Sequence, residues 1–215
     1  MISRMWRPLV AGLYRRVGWS RARLLVRQIA PHLAGKMLLD LGAGTGHTAV
    51  LLHRKYGQCV VMLDVTPHRG AWGQRLVGQP IAAHLSKRFG LARVRYDGRH
   101  IPFKDGAFDT VLIAFVLHHC EHQDEVLREA ARVSKGRVLV LEDGGDTPPT
   151  RADGRWDALF NLEFFHPHHE RSRGEWRALF GECGLKIVEE TSWEWPLGFL
   201  RVSQTLFVLD KEQTD

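Results

Sequence analysis

From Lys36 onward, short apolar runs alternate with stretches of helical periodicity. "MLLDLG" (37–42), "CVVMLDV" (59–65), "ARVRYD" (92–97), "FDTVLIAFVL" (108–117) and "RVLVLED" (137–143) each have the length of a strand. Their near-continuous Val, Leu and Ile content suits strands buried on both faces. Segments such as "HTAVLLHRKY" and "QDEVLREAARVS" between them are long enough for crossover helices. This β-α-β-α alternation predicts a doubly wound, mostly parallel sheet. After Asp143 the pattern changes. "GGDTPPTRADG" is a turn-rich break, followed by an amphipathic stretch carrying Trp156, Leu159, Phe160 and Phe164. Ser172 and Glu175 have the S-x-x-E spacing of a capping box for a helix that stops at Gly184. Two more strands, 185–193 and 199–209, turn about Pro196-Leu197-Gly198. The expected fold is therefore α/β, a Rossmann-like doubly wound sheet of seven strands, mostly parallel with an antiparallel edge strand.

Ahead of the sheet, Ile2, Met5, Trp6, Leu9, Leu13 and Val17 recur at three- and four-residue spacing and predict one helix, with Pro8 at its first turn or at a kink. Ser20 reads as the N-cap of a second helix, with Leu25, Ile29 and Leu33 on one side and Arg21, Arg23 and Arg27 elsewhere. Residues 1–35 are expected to form a helical arm and residues 36–215 one α/β domain. The net charge of +6 belongs to the arm. Residues 1–36 hold eight Lys or Arg and no acid, and taking those eight from +6 leaves −2 on the remainder. A nucleic-acid partner is not expected, since such enzymes spread basic residues around the cleft.

A chain of 215 residues can bury a full core without staples. Cys59, Cys120 and Cys183 lie far apart, so a reducing, cytoplasmic setting is expected. No apolar stretch approaches the roughly 18–20 residues of a membrane span. Arginines also interrupt any signal-peptide core.

The first strand runs into "LLDLGAGTGHT". Glycines accept positive φ and let the backbone approach a ligand closely. A dinucleotide fingerprint would place its third glycine at position 47. His47 stands there, and the glycine comes one residue early, at Gly46. Asp40 also lies two residues before Gly42, where a carboxylate would repel a pyrophosphate. Both points count against an NAD(P)-dependent oxidoreductase.

D-x-G-x-G-x-G after the first strand resembles motif I of the class I S-adenosylmethionine-dependent methyltransferases, and the likeness runs from about Leu38 to Gly184. "IPFKDGAFD" (101–109), leading into the fourth strand, is similar to the stretch that in the family follows an adenine-contacting acid. The resemblance implies S-adenosylmethionine as cofactor. It implies cofactor contacts at Asp40, Gly42, Ala43, Gly44 and Gly46, at the ribose acid Asp64 with Val65, at Asp97 and Gly98, and at the small Ala114. "VTPHRG" after Asp64 departs from the family's Ser- or Ala-rich helix start. "VSKGR" likewise lacks the proline and double glycine common before the fifth strand.

Methyl transfer needs a general base only when the acceptor must lose a proton. His118 and His119, at the end of the fourth strand, are the candidates for that role. Glu142 and Asp143 are strand-end acids that either face the cleft or are solvated. Trp156, Phe160, Phe164 and His166 are expected to wall an acceptor pocket. The histidines of "FFHPHHERSR" have no recognised metal-ligand spacing, so no metal is assigned.

The expected reaction is in-line methyl transfer from S-adenosylmethionine to a small or lipid-like acceptor. The alternatives are an RNA or protein acceptor, and a cofactor-binding partner subunit without turnover. The Asn/Asp-Pro-Pro-aromatic tetrapeptide of many nucleic-acid amino-group methyltransferases is absent, "AFVL" standing in its place. The arm is expected to be a lid over the cleft; a dimer contact and an interfacial helix on an anionic membrane are the other readings. The oligomeric state carries no signal in the sequence.

Overall fold

The computed structural model describes residues 7–67, 74–146, 169–197 and 200–212. In chain order the elements are α1 (Arg7–Ile29), β1 (Met37–Leu41), α2 (His47–Tyr56), β2 (Cys59–Val65), α3 (Gln79–Phe89), β3 (Ala92–Tyr96) and β4 (Phe108–Ala114), followed by α4 (Gln123–Val133), β5 (Ser134–Asp143), α5 (Arg173–Glu182), β6 (Leu185–Leu197) and β7 (Leu200–Lys211). All seven strands join one sheet in the order β3-β2-β1-β4-β5-β7-β6. β1 to β5 pair in parallel, while β7 runs antiparallel to both β5 and β6. The β6–β7 hairpin thus forms the antiparallel edge, with β7 seated against β5.

Continuous apolar runs are divided between two faces because successive side chains in a strand point to opposite sides. Leu39, Leu41, Val111, Ile113, Val138 and Val140 face α4 and α5, where Val126, Leu127, Trp176 and Phe180 complete the packing. Leu38, Met62, Leu112, Leu139 and Leu141 face the other way, against Leu25, Val26 and Ile29 of α1 and Ala49, Val50 and Leu52 of α2. The capping box at α5 forms as its spacing predicts. The Ser172 side chain accepts from the Glu175 N–H, and the Glu175 carboxylate accepts from the Ser172 N–H at 2.7 Å.

Two expectations are corrected. The arm is one helix across Gly18 and Ser20 rather than two, so Ser20 caps nothing. Gly18, a weak helix former, is used for close packing. A Cβ on it would lie 2.7 Å from the His47 ring. The fourth strand stops at Ala114 instead of reaching Leu117. Phe115 has φ +57, the one non-glycine residue in the left-handed region among those described, and it breaks the ladder.

At the rim where the parallel strands begin, Asp109 gathers three donors. Lys135 Nζ donates at 2.6 Å, and the Met37 and Lys36 N–H groups each donate at 2.9 Å. Together they hold its carboxyl down to about 2. A depressed carboxyl contributes stability above its unfolded value of 3.8 and loses it as pH falls through about 2. Asp109→Ala is therefore expected to lower stability by about 2 kcal/mol near neutrality. Denaturant melts should show the gap closing as pH is lowered toward 2. No helix among the described residues is long and apolar enough to cross a membrane.

Candidate functional site

Parallel strands end on a common rim, and open α/β sheets bind ligands there. On that rim lie Asp40 of β1, Asp64 of β2, Glu142 and Asp143 of β5, and Asp97 just beyond β3.

The loop from β1 to α2 turns on three glycines, with φ +74 at Gly42, +53 at Gly44 and +78 at Gly46. The N–H groups of Gly42 and Ala43 donate to the Leu63 carbonyl at 2.8 and 3.2 Å, which fastens the loop to β2. A Cβ at Gly42 would lie 2.2 Å from Val116 Cγ2, and one at Gly46 2.5 Å from Met62 Cε. A Cβ at Gly44 would meet nothing closer than 3.8 Å. The outer glycines fit the protein to itself, whereas the middle one leaves its backbone open to a ligand.

Asp40 is 3% exposed. Its Oδ2 has no hydrogen-bond partner among the described residues. Burial first, and then the neighbouring Asp64 charge, push its carboxyl up to about 7. A buried acid left in this condition is costly unless a cation or donor joins it.

Asp64 is better served. Burial raises its pKa, while the Arg95 charge, the Val65 N–H at 2.9 Å and the Gln79 amide at 3.4 Å pull it back. Arg93 and Arg95 both donate to Gln79 Oε1, and Arg95 also reaches the Val65 carbonyl. These bonds turn the amide of Gln79 toward Asp64. Sequence reasoning missed Gln79, which opens α3 in a segment without any motif.

Asp97 is exposed. Its Oδ1 accepts the N–H groups of Arg99 and His100, each at 2.8 Å, and these bonds hold its carboxyl below the usual range. Gly98, at φ +90, lies against Val65, whose Cγ1 would be 3.4 Å from an added Cβ. The following loop is held by Glu129, which takes the Ile101 N–H at 2.8 Å, and by Arg132, which donates to the carbonyls of Ile101 and Phe103 at 2.9 Å.

Beyond Ala114 the chain turns through Phe115, whose N–H donates to the Leu141 carbonyl at 2.8 Å. Its backbone conformation costs about 1–3 kcal/mol. The Arg21 guanidinium lies over its ring, 4.3 Å from the centroid. Next to it, Glu142 is 1% exposed and fully occupied. One oxygen accepts the Val116 and Leu117 N–H groups at 2.9 and 2.7 Å, and the other lies 2.6 Å from His118 Nδ1. The carboxylate is therefore neither solvated nor free to face a cleft. It pins the turn that carries His118. His118 is itself buried, and its ring centroid is 4.0 Å from that of His119. The His169 N–H donates to the His118 carbonyl at 2.8 Å, and the Gln123 amide bridges the carbonyls of Leu117 and His169. Asp143 accepts from Gln204 at 3.0 Å. Burial pushes its carboxyl up to about 6, against the charges of Arg21 and His118.

α1 touches this rim through Trp19 and Arg21. Trp19 meets the His47 ring edge-on at 4.7 Å, and His47 Nδ1 is 2.7 Å from the Thr45 hydroxyl in the glycine loop. The structure thus brings together Asp40, the glycine loop, Asp64, Val65, Gly98, Ala114 and the His118 turn along one rim, with Asp97 at its β3 end. Trp156, Phe160, Phe164 and His166 lie outside the described residues.

A family model described as "Methyltransferase domain" matches residues 39–141. The chain is 30% identical over 169 residues to an uncharacterized methyltransferase, YcgJ, of Bacillus subtilis (strain 168), covering 75% of this chain and 62% of that one. It is 34% identical over 139 residues to the ubiquinone/menaquinone biosynthesis C-methyltransferase UbiE of Pseudomonas putida, covering 62% and 50%. The chain therefore spans between half and two thirds of the length of these relatives. Among solved structures, a methyltransferase held by the Haloferax volcanii Trm112 activator shares the fold, with a TM-score of 0.70 at 17% identity, over 98% of this chain and 96% of that one.

Proposed function

We propose that this chain is a class I S-adenosylmethionine-dependent methyltransferase, as its match to the methyltransferase domain over residues 39–141 supports, and that it transfers a methyl group to a small or lipid-like acceptor by in-line displacement. The observation that carries the reading is Asp40 Oδ2, a buried carboxyl oxygen without a partner among the described residues, beside an open, positive-φ Gly44. That pairing suits a ligand with a cationic end and a flat approach to the backbone. S-adenosylmethionine supplies, when bound, a methyl group already activated on a sulfonium, next to an ammonium-bearing methionine end.

In this reading Asp40 meets the cationic end, and Gly42, Ala43, Gly44 and Gly46 give it room. Asp64, steadied by Gln79, accepts the ribose hydroxyls. Val65 and Gly98 flank the adenosine, and the second oxygen of Asp97 serves the adenine amino group. Ala114 is small enough to leave the methyl accessible. The protein's main task is alignment and exclusion of water, which can supply roughly 7–11 kcal/mol of barrier lowering. Where the acceptor must lose a proton, His118 is the candidate base. With its Nδ1–H given to Glu142, a neutral ring keeps its lone pair on Nε2. His119 is the second candidate. Trp156, Phe160, Phe164 and His166 are proposed as pocket wall. Support for a lipid-like acceptor comes from these aromatics and from the Pseudomonas relative, whose name ties it to ubiquinone and menaquinone biosynthesis.

Calorimetry tests the cofactor half. S-adenosylmethionine is expected to bind, and Asp64→Ala to weaken binding by about 10- to 150-fold through loss of charge-assisted hydrogen bonds. No heat of binding, or unchanged affinity in the variant, sinks the assignment. Labelled cofactor offered to fractionated lipid, small-molecule, RNA and protein pools then reads out the acceptor class.

A further inference from the structure

α1 has two working faces. Its inner face is built into the protein through Ala22, Leu25, Val26 and Ile29 in the core, Trp19 on His47 and Arg21 on Phe115. Its outer face is free among the described residues. Arg16, Arg23 and Arg27 are exposed there, and so are two large apolar side chains, Val17 at 52% and Leu24 at 43%. At 3.6 residues per turn the three arginines fall on one line, and Leu24 and Val17, two turns apart, fall on a parallel line beside it. No acid precedes Asp40 in the sequence.

We infer that this outer face docks flat on an anionic lipid bilayer, with the arginines at the phosphate level and Val17 and Leu24 in the acyl boundary. Charge and pattern both favour that occupant. A two-fold dimer through this face would set arginine line against arginine line. A nucleic-acid backbone would suit the arginines but has no use for the apolar line. A bilayer with anionic headgroups uses both. The inner face of the same helix packs on the sheet through Leu25, Val26 and Ile29 and reaches the rim through Trp19 on His47 and Arg21 on Phe115, so docking holds that part of the rim close to the lipid. The inference deepens the lipid-like acceptor reading and rests on it only for the acceptor's route. Docking itself holds or fails without turnover.

The experiment is sedimentation of the full chain with vesicles of phosphatidylcholine, with and without phosphatidylglycerol, at low and high salt. Binding is expected only with the anionic lipid. The triple change Arg16→Glu, Arg23→Glu and Arg27→Glu should weaken it by roughly 100-fold or more. Arg→Gln at the same positions should give an intermediate loss. Val17→Ser with Leu24→Ser should weaken binding by about tenfold, and high salt should not erase that difference. Short RNA serves as competitor. S-adenosylmethionine titration and thermal melts of every variant report whether the fold survives. The inference is overturned if anionic vesicles do not carry the protein down, or if the charge variants sediment like the native chain. It is equally overturned if the serine variant binds vesicles normally while RNA competes, because the face is then a polyanion site. Vesicle binding that persists while no lipid accepts a methyl group counts against the acceptor class and leaves the docking intact.

Discussion

Replacing Asp40 by asparagine is expected to make the cofactor-free protein harder to melt above pH 7, while weakening S-adenosylmethionine binding by about 10- to 150-fold. The sign follows from the raised carboxyl. The folded value is about 7, against 3.8 for an ordinary aspartate. Between those values the native state holds a proton that the unfolded chain has released, so stability falls as pH rises from 3.8 toward 7. Above that window the cost is constant, on the order of 4 kcal/mol for a fully buried group. The Asp40→Asn change removes the charge and its repulsion with Asp64, so a gain of about 8–16 °C in melting temperature is expected at a pH above about 7, vanishing below about 4. The same linkage makes binding of a cationic cofactor tighten as pH rises toward 7, with release of the Asp40 proton. Melting curves and calorimetry across pH check both halves. A variant that melts lower than the native protein at every pH would sink the account.

The second large effect concerns Glu142. Truncation to alanine leaves the half-buried Val116 N–H, the buried Leu117 N–H and His118 Nδ1 without their shared acceptor. A loss of about 3–5 kcal/mol is expected, or roughly 6–20 °C in melting temperature. Glu142→Gln separates packing from chemistry. It keeps one oxygen for the two N–H groups but turns an amide N–H toward His118, forcing the proton onto Nε2. Stability should change little by comparison. Turnover of an acceptor that must lose a proton should fall by about 10²- to 10⁴-fold, and the imidazole 15N shifts should report the switched tautomer. A glutamine variant with native turnover and a switched tautomer would remove His118 from the reaction.

The strands were legible because buried parallel strands have few residue types to choose from, and α2 and the α5 capping box follow local rules. The end of β4 was not. Phe115, Val116 and Leu117 continue the apolar run, and the turn they make depends on the Glu142 carboxylate, 25 residues beyond Leu117 on β5. The single arm helix was misread for a similar reason. Gly18 and Ser20 look like a break until His47 is seen packed on the glycine. Within the site, Asp40 and the glycine loop announce themselves by spacing, and Asp64 by its place at a strand end. Gln79 does not, because its role depends on Arg93 and Arg95 from β3.

The position of β7 between β5 and β6 sets an order on folding. β6 cannot join the sheet directly, because its only neighbour is the strand that follows it in the chain. Until residues 200–211 are made, the β5 edge keeps a row of unpaired N–H and C=O groups beside the buried Val138–Leu141 run. Such an edge is a template for pairing with another chain. Chaperone demand and aggregation during synthesis should therefore peak after β5 is complete and end when the β6–β7 hairpin docks, a late, long-range step in an otherwise sequential assembly.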